Sequence, residues 1–190
     1  ANNGSDETTS SVVTYEQDVT LANEFTRVGY TFKGWSTTST GAVIHAENAV
    51  VEHLTSEDKA TVTLYAIWKA NTYKVEFNGN GAEGTMDEQT FTYDVVANLE
   101  ANTFAKVGYT FTGWNTKADG TGTSYSNGGS ITTKSSVTLY AQWRANTYTI
   151  TYTNGNDVTT DTYKLGDPTK VLQAPSAREG YTFDGWYEGE

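Results

Sequence analysis

The chain has 190 residues, no cysteine and a formal net charge of −11. This charge argues against nucleic acid and anionic lipid as partners, because phosphate groups attract Lys and Arg and repel an acidic surface. The absence of cysteine excludes a disulfide framework and thiol chemistry. No apolar stretch approaches the roughly 18 residues of a membrane span, so we expect no membrane insertion in this segment. Aromatic residues make up 13% of the chain, which is too many for a disordered linker.

Two phrases recur along the chain. Gly-Tyr-Thr-Phe-x-Gly-Trp occupies residues 29–35, 108–114 and 180–186, and Val-Thr-Leu-Tyr-Ala-x-Trp opens the matching segments 62–73 and 137–148. Such self-similarity identifies a tandem array with a unit of about 75 residues. We predict unit 1 at residues 1–70, without its first strand, a complete unit 2 at 71–145, and unit 3 at 146–190, without its last strand. A window cut from a longer array would have such ends.

Unit 2 shows the predicted elements in order. Residues 73–77 alternate apolar and polar side chains, as a half-buried strand does, and the Asn-Gly cluster at 78–81 predicts a turn. A second strand is expected at 91–95, with counterparts at 13–15 and 162–165, which matches Tyr93 with Tyr163. The connection from 96 to 106 has room for a short helix around Leu99. The two recurring phrases supply the third and fourth strands.

The third strand carries an apparent conflict in its alternation. Its variable position holds Lys33, Thr112 or Asp184, so this position faces water. Strict alternation then points Trp114 away from the core. A β-bulge at Gly113 shifts the register by one residue and returns the indole to the core. We therefore predict a mainly β fold, α+β at most.

The paired phrases resemble the Listeria–Bacteroides repeat, also called the internalin B-repeat, over nearly the whole chain. The resemblance implies a small β-grasp-like module of about four strands with at most a short helix. It implies tandem copies on bacterial surface and secreted proteins, in spacer, adhesion or signalling roles. It supplies no catalytic residues.

Most aromatic side chains are expected in the core, because so small a unit can hardly spare them from it. The outward-facing Tyr65 and Tyr140 are the candidates for a contact surface, with a ligand or with the next unit. The predicted core residues are Tyr30, Phe32, Trp35, Trp68, Tyr73, Phe77, Tyr109, Phe111, Trp114, Trp143, Tyr181, Phe183 and Trp186.

Other chemistry finds little support. His45 and His53 lie near carboxylates in unit 1, but unit 2 has no histidine, so a metal site there would not belong to the repeat. The turns at 78–81 and 119–122 contain oxygen ligands of the kind Ca²⁺ takes, but they match no EF-hand spacing and are better explained as ordinary turns. No lysine keeps its place across the copies, which argues against an isopeptide cross-link. We predict no catalytic residue, metal or cofactor.

The sequence thus favours a non-enzymatic spacer array of a bacterial cell-surface or secreted protein, forming a semi-rigid extracellular stalk. Its partners would be neighbouring repeats or other copies of the same chain. Two alternatives remain open. The chain is an adhesion module for glycan or a host surface protein, or it is the subunit of an extracellular fibre in which strands are exchanged between chains.

Overall fold

The computed structural model describes residues 2–4, 7–131 and 134–188. Within them the chain forms thirteen strands and no helix, so the fold is mainly β, as predicted. The strands are β1 (Val19–Leu21), β2 (Tyr30–Ser36), β3 (Ala49–Val51), β4 (Tyr65–Ala70), β5 (Thr72–Asn78), β6 (Gln89–Thr92), β7 (Ala97–Asn98), β8 (Tyr109–Asn115), β9 (Ser124–Tyr125), β10 (Ser130–Ile131), β11 (Val137–Ala145), β12 (Thr147–Asn154) and β13 (Asp157–Lys164).

Unit 2 contains the largest sheet. Its strand order is β6-β5-β11-β8-β9, with β5 and β11 parallel and the other pairs antiparallel. A separate small pair, β7 and β10, covers this sheet's core. Unit 1 repeats part of the plan with the pairs β2–β4 and β1–β3, and unit 3 contributes the hairpin β12–β13.

The β-bulge in the third strand is confirmed. Phe111 pairs with Trp143 and Gly113 pairs with Gln142, so Thr112 is the extra residue that leaves the ladder. Gly113 has a φ of 142°, which a glycine adopts without strain. Trp114 is consequently buried, at 0% exposure. Unit 1 has the same register shift at its own copy of the phrase.

One local possibility is not realised, and one local prediction is wrong. The short helix considered around Leu99 does not form. Leu99 is buried immediately after β7, and its N–H donates to the carbonyl of Gly129 at 2.9 Å. Residues 13–15 are not in a strand either, and Tyr15 is exposed. In the described residues this stretch has no neighbour equivalent to β5, so its backbone lacks a ladder to join.

The same ring arrangement recurs under each copy of the first phrase. The Phe and Trp rings of the phrase meet edge to face at 5.2 Å in unit 1, 5.0 Å in unit 2 and 5.3 Å in unit 3. In units 1 and 2 a second Trp, from the fourth strand, packs on the same Phe at 5.4 and 5.5 Å. The units therefore share one local packing scheme.

The chain exposes far more surface than a compact protein of its mass. Its accessible area is 13,521 Å². A globular protein of 20.7 kDa would expose roughly 8,900 Å² by the usual scaling with mass. Much of this area belongs to residues 7–18 and 155–184, which are exposed at nearly every position.

Candidate functional site at the unit junctions

A tight turn opens each copy of the first phrase. We call residues 27–30, 106–109 and 178–181 the glycine turns. In each, the Tyr N–H donates to the carbonyl of the residue three positions earlier, at 3.0, 3.0 and 3.1 Å. The glycine in each turn has a φ of 77° or 78°. This left-handed conformation explains why all copies use glycine there.

A basic side chain lies over the tyrosine ring of each glycine turn. The distance from cation to ring centroid is 3.8 Å for Arg27, 4.9 Å for Lys106 and 4.4 Å for Arg178. These cation–π contacts were missed from the sequence, although a basic residue stands three positions before the tyrosine in all three copies. The position holds Arg in two copies and Lys in one, so comparing lysines alone between the copies does not detect it.

Asn71 joins unit 1 to unit 2. It is the single residue between β4 and β5. Its N–H donates to the carbonyl of Gly29 at 2.9 Å, and its side-chain oxygen accepts from the Thr31 hydroxyl at 2.6 Å. Its carbonyl accepts from the Tyr93 N–H at 2.9 Å. One linker residue is thus tied to both units.

Asn146 repeats this arrangement between units 2 and 3. It too is the single residue between two strands, β11 and β12. Its N–H donates to the carbonyl of Gly108 at 2.8 Å, and its side-chain oxygen accepts from the Thr110 hydroxyl at 2.5 Å. The two junctions therefore share the backbone and side-chain hydrogen bonds that tie the linker residue to the preceding unit.

At each of the two junctions, one residue of the following unit, which we call the corner residue, packs on the glycine of the preceding glycine turn. At the first junction it is Tyr93, whose ring lies where a Cβ on Gly29 would stand. The Tyr93 ring also lies 5.6 Å from Tyr30 and 5.9 Å from Tyr73. Burial, followed by the nearby Tyr93 and Asp94 charges, raises the pKa of Tyr73.

At the second junction the corner residue is Leu165. A Cβ on Gly108 would lie 2.8 Å from its Cδ2 atom. This corrects the predicted match of Tyr93 with Tyr163. Tyr163 pairs with Tyr148 as Phe91 pairs with Tyr73, so Leu165 is the true counterpart of Tyr93.

The third glycine turn has no such neighbour. A Cβ on Gly180 would meet no atom within 4 Å. Tyr181 and Phe183 are exposed by 70% and 43%, so the expected core positions do not hold for them. The reason is that residues 181–186 have no partner strand equivalent to β11 among the described residues. Trp186 is half-buried, and its indole N–H donates to the Gln173 carbonyl at 3.0 Å.

The other predicted core residues lie in units 1 and 2. Trp35 and Trp114 are buried. Half-buried positions are taken by Tyr30, Phe32, Trp68, Tyr73, Phe77, Tyr109, Phe111 and Trp143.

The proposed contact tyrosines lie far from the junction hydrogen bonds. Tyr65 and Tyr140 are half-buried at equivalent positions, opposite Ser36 and Asn115 of the third strands. Neighbouring residues on β11, Leu139 and Ala141, are fully buried, so Tyr140 belongs to the outer face of the sheet. A contact role for the two tyrosines stays a prediction.

The polar candidates serve local structure. The Asp119 carboxylate accepts hydrogen bonds from the Thr121 N–H and hydroxyl, at 3.0 and 2.8 Å, which lower its pKa. The Asn80 amide donates to the carbonyls of Ala118 and Ala141. The His53 ring packs on Tyr15 at 4.5 Å. In the described part of the chain, no group of three His, Cys, Asp or Glu side chains is placed to hold a metal ion.

Across the described residues, no helix has the length and apolar character to cross a membrane.

Comparison with known proteins finds several that are similar to this chain in sequence. A protein of Evansella cellulosilytica that carries the name Gly-rich membrane protein is 35% identical over 173 residues, covering 86% of this chain and 20% of that protein. A second membrane protein by name, from the same organism, is 36% identical over 123 residues, covering 62% of this chain and 18% of that protein. Internalin H of Listeria monocytogenes is 38% identical over 89 residues, covering 45% of this chain and 15% of that protein. This chain thus spans about a fifth or less of these relatives. No solved structure matches it.

A family model also matches the chain. The Listeria-Bacteroides repeat domain covers residues 1–67, 73–142 and 148–190, which leaves out little more than the linker segments. The recurring phrases, the shared ring packing and this match agree, and the chain belongs to the Listeria-Bacteroides repeat domain family.

Proposed function

We propose that this chain is a non-catalytic spacer, a segment of a semi-rigid stalk on a bacterial cell surface. Its direct partners are its own neighbouring units. The stalk holds other parts of its protein away from the cell. The names of the relatives, two membrane proteins and an internalin, support a surface location.

The observation that carries this proposal is the repeated junction. A one-residue linker would already restrict the angle between units. Asn71 and Asn146 add hydrogen bonds to the preceding unit, and Tyr93 and Leu165 pack on its glycine turn. Because both junctions use the same hydrogen bonds to the preceding unit, each added unit is joined in the same way, and the length of the rod increases in proportion to the number of units.

The surface chemistry fits a spacer. Outward positions vary freely between units, such as Lys33, Thr112 and Asp184 in the third strand. A rod needs stably folded units and rigid junctions, but it needs no recognition surface shared by all units. The net charge of −11 favours solubility and keeps neighbouring stalks apart.

Small-angle X-ray scattering on the full chain tests the proposal. A compact globule of this length has a radius of gyration of roughly 16 Å, whereas three units of about 30 Å in a row give roughly 28 Å. We expect the larger value. A radius near 16 Å would refute the stalk.

A flexible comparison variant tests rigidity separately. Inserting four Gly-Ser residues after Asn71 and four after Asn146 frees both joints. We expect the natural chain to show a narrower distribution of interatomic distances than this variant. Indistinguishable distributions would mean that the junction contacts do not hold the units.

A further inference from the structure

The first and last strands of unit 2 lie side by side and run in the same direction. The β5–β11 register runs from Val75–Val137 to Asn78–Tyr140, and we call these four pairs the clamp. β5 begins directly after Asn71, and β11 ends directly before Asn146. Tension between the two ends of the array therefore enters unit 2 at the start of β5 and leaves it at the end of β11.

This direction of load puts the clamp in shear. One strand is pulled backward along its axis and its neighbour forward. Hydrogen bonds between parallel strands are evenly spaced, so they share the load and must yield together. Force applied across the same end of both strands would instead open the pairs one after another.

Further contacts oppose the same sliding. Val75 and Leu139 are fully buried on the inner face, so water cannot replace the clamp's bonds from that side. Just beyond β5, the Gly79 carbonyl accepts from the Trp143 indole at 2.9 Å. The Asn80 amide donates to the Ala141 carbonyl at 3.0 Å. Both bonds tie the end of β5 to the exit half of β11.

We infer that the β5–β11 clamp makes unit 2 a load-bearing element that resists extension along the array. Among the described residues, β4 and β12 have no parallel partner, so unit 2 holds the complete clamp. The inference goes beyond the spacer role. A weak clamp would leave an elongated shape in scattering unchanged, and the two ideas can therefore fail separately.

Single-molecule pulling on the full chain tests the clamp. With handles on the two chain termini, unfolding of unit 2 releases a contour length of roughly 270 Å, at about 3.6 Å per residue. The folded unit already spans roughly 36 Å between the start of β5 and the end of β11, at about 3.3 Å per residue along the parallel pair, so the chain lengthens by roughly 230 Å. In the comparison experiment the two strands are pulled apart from the same end. The handles are then attached through Lys74→Cys and Ser136→Cys, each one residue before the first clamp pair, and the natural chain has no competing thiol. At one loading rate we expect a several-fold higher unfolding force from the termini. Equal or lower force from the termini would overturn the inference.

Two disulfide variants identify the strand pair that carries the load. Glu76 is exposed, Thr138 is half-buried, and the two are partners across the clamp. Glu76→Cys with Thr138→Cys should, when oxidised, shorten the step from roughly 230 Å to roughly 15 Å, because only about 12 residues of unit 2 stay outside the closed loop. The control, Lys74→Cys with Thr90→Cys, joins β5 to β6 and spares the clamp. Its oxidised form should keep the high force. Loss of the high force in the control, or an unshortened step in the first variant, would contradict the clamp.

Discussion

Alanine substitution of the three turn glycines distinguishes the cost of disturbing the junction packing from the cost of disturbing the turn itself. Gly29, Gly108 and Gly180 share one sequence context and a φ of 77° or 78°. They differ in what a new Cβ would meet. At Gly29 it would overlap the Tyr93 ring, at Gly108 it would lie 2.8 Å from Leu165, and at Gly180 it would meet nothing within 4 Å. Gly180→Ala is therefore the built-in control.

The backbone cost should be common to all three variants. A left-handed conformation costs an alanine about 1–2 kcal/mol. Gly29→Ala adds overpacking of about 1–3 kcal/mol, because Tyr93 is buried and its ring cannot swing away. Gly108→Ala adds less, since Leu165 is half exposed and its end can rotate. We predict the order Gly29, Gly108, Gly180 from most to least destabilising.

Amide hydrogen exchange by NMR measures the junctions directly. The amides of Asn71 and Asn146 are bonded to the carbonyls of Gly29 and Gly108. Each loss of about 1.4 kcal/mol in local stability speeds exchange about tenfold. Gly29→Ala should speed exchange at Asn71, and Gly108→Ala at Asn146. Gly180→Ala should change neither amide.

A double-mutant cycle tests the proposed clash. Leu165→Ala removes the atom that the new Cβ meets at Gly108, so it should restore part of the stability lost in Gly108→Ala. We expect a coupling energy of at least about 0.5 kcal/mol. No coupling, together with equal costs for all three alanine variants, would refute the junction as described.

Three further predictions concern single side chains. Asn115 is buried, and its side-chain amide donates to the Gly120 carbonyl and accepts from the N–H groups of Lys117 and Gly122. Asn115→Ala should therefore cost about 1–3 kcal/mol in urea unfolding, and an unchanged midpoint would contradict this. Lys106→Met keeps the stem over Tyr109 but removes the ammonium, which lies over the Tyr109 ring and also donates to the Asn80 carbonyl at 3.2 Å, and should lower stability by about 0.5–1 kcal/mol or more in the same assay; an unchanged midpoint would contradict this. The ammonium of Lys170 lies 2.6 Å from Asp161 and lowers its pKa, so Lys170→Met should raise that pKa in an NMR titration. Because the folded pKa of Asp161 is depressed, the stability it adds is present at neutral pH and is lost as pH falls through that pKa, and Lys170→Met should flatten this dependence.

The sequence was sufficient to predict the elements that repeat within one unit. Alternation located β5 and β11, and the unlike residues Lys33, Thr112 and Asp184 identified the water-facing position of the third strand. The bulge followed from the conflict between that position and Trp114. These inferences succeed because side-chain alternation is a local property of a strand.

Register and pairing between distant segments were beyond such reasoning. The parallel pairing of β5 with β11 joins segments about 60 residues apart, and alternation identifies strands without naming their partners. The mismatch of Tyr93 with Tyr163 has a related cause. In unit 3 the hairpin closes through a two-residue turn between Asn154 and Asp157, which sets its register, whereas β5 and β6 are joined by a longer connection.

The feature that the two junctions share lies mainly in the backbone, so it is difficult to recognise from the side chains in the sequence. The corner residue is Tyr93 at one junction and Leu165 at the other, yet both pack on a glycine in the same conformation. The recurring bonds join the N–H of Asn71 or Asn146 to a backbone carbonyl. A joint built on main-chain geometry and one missing Cβ accepts different apolar partners in the next unit. Units that diverge in sequence can therefore still follow one another, and an array can lengthen by duplication without redesigning its joints.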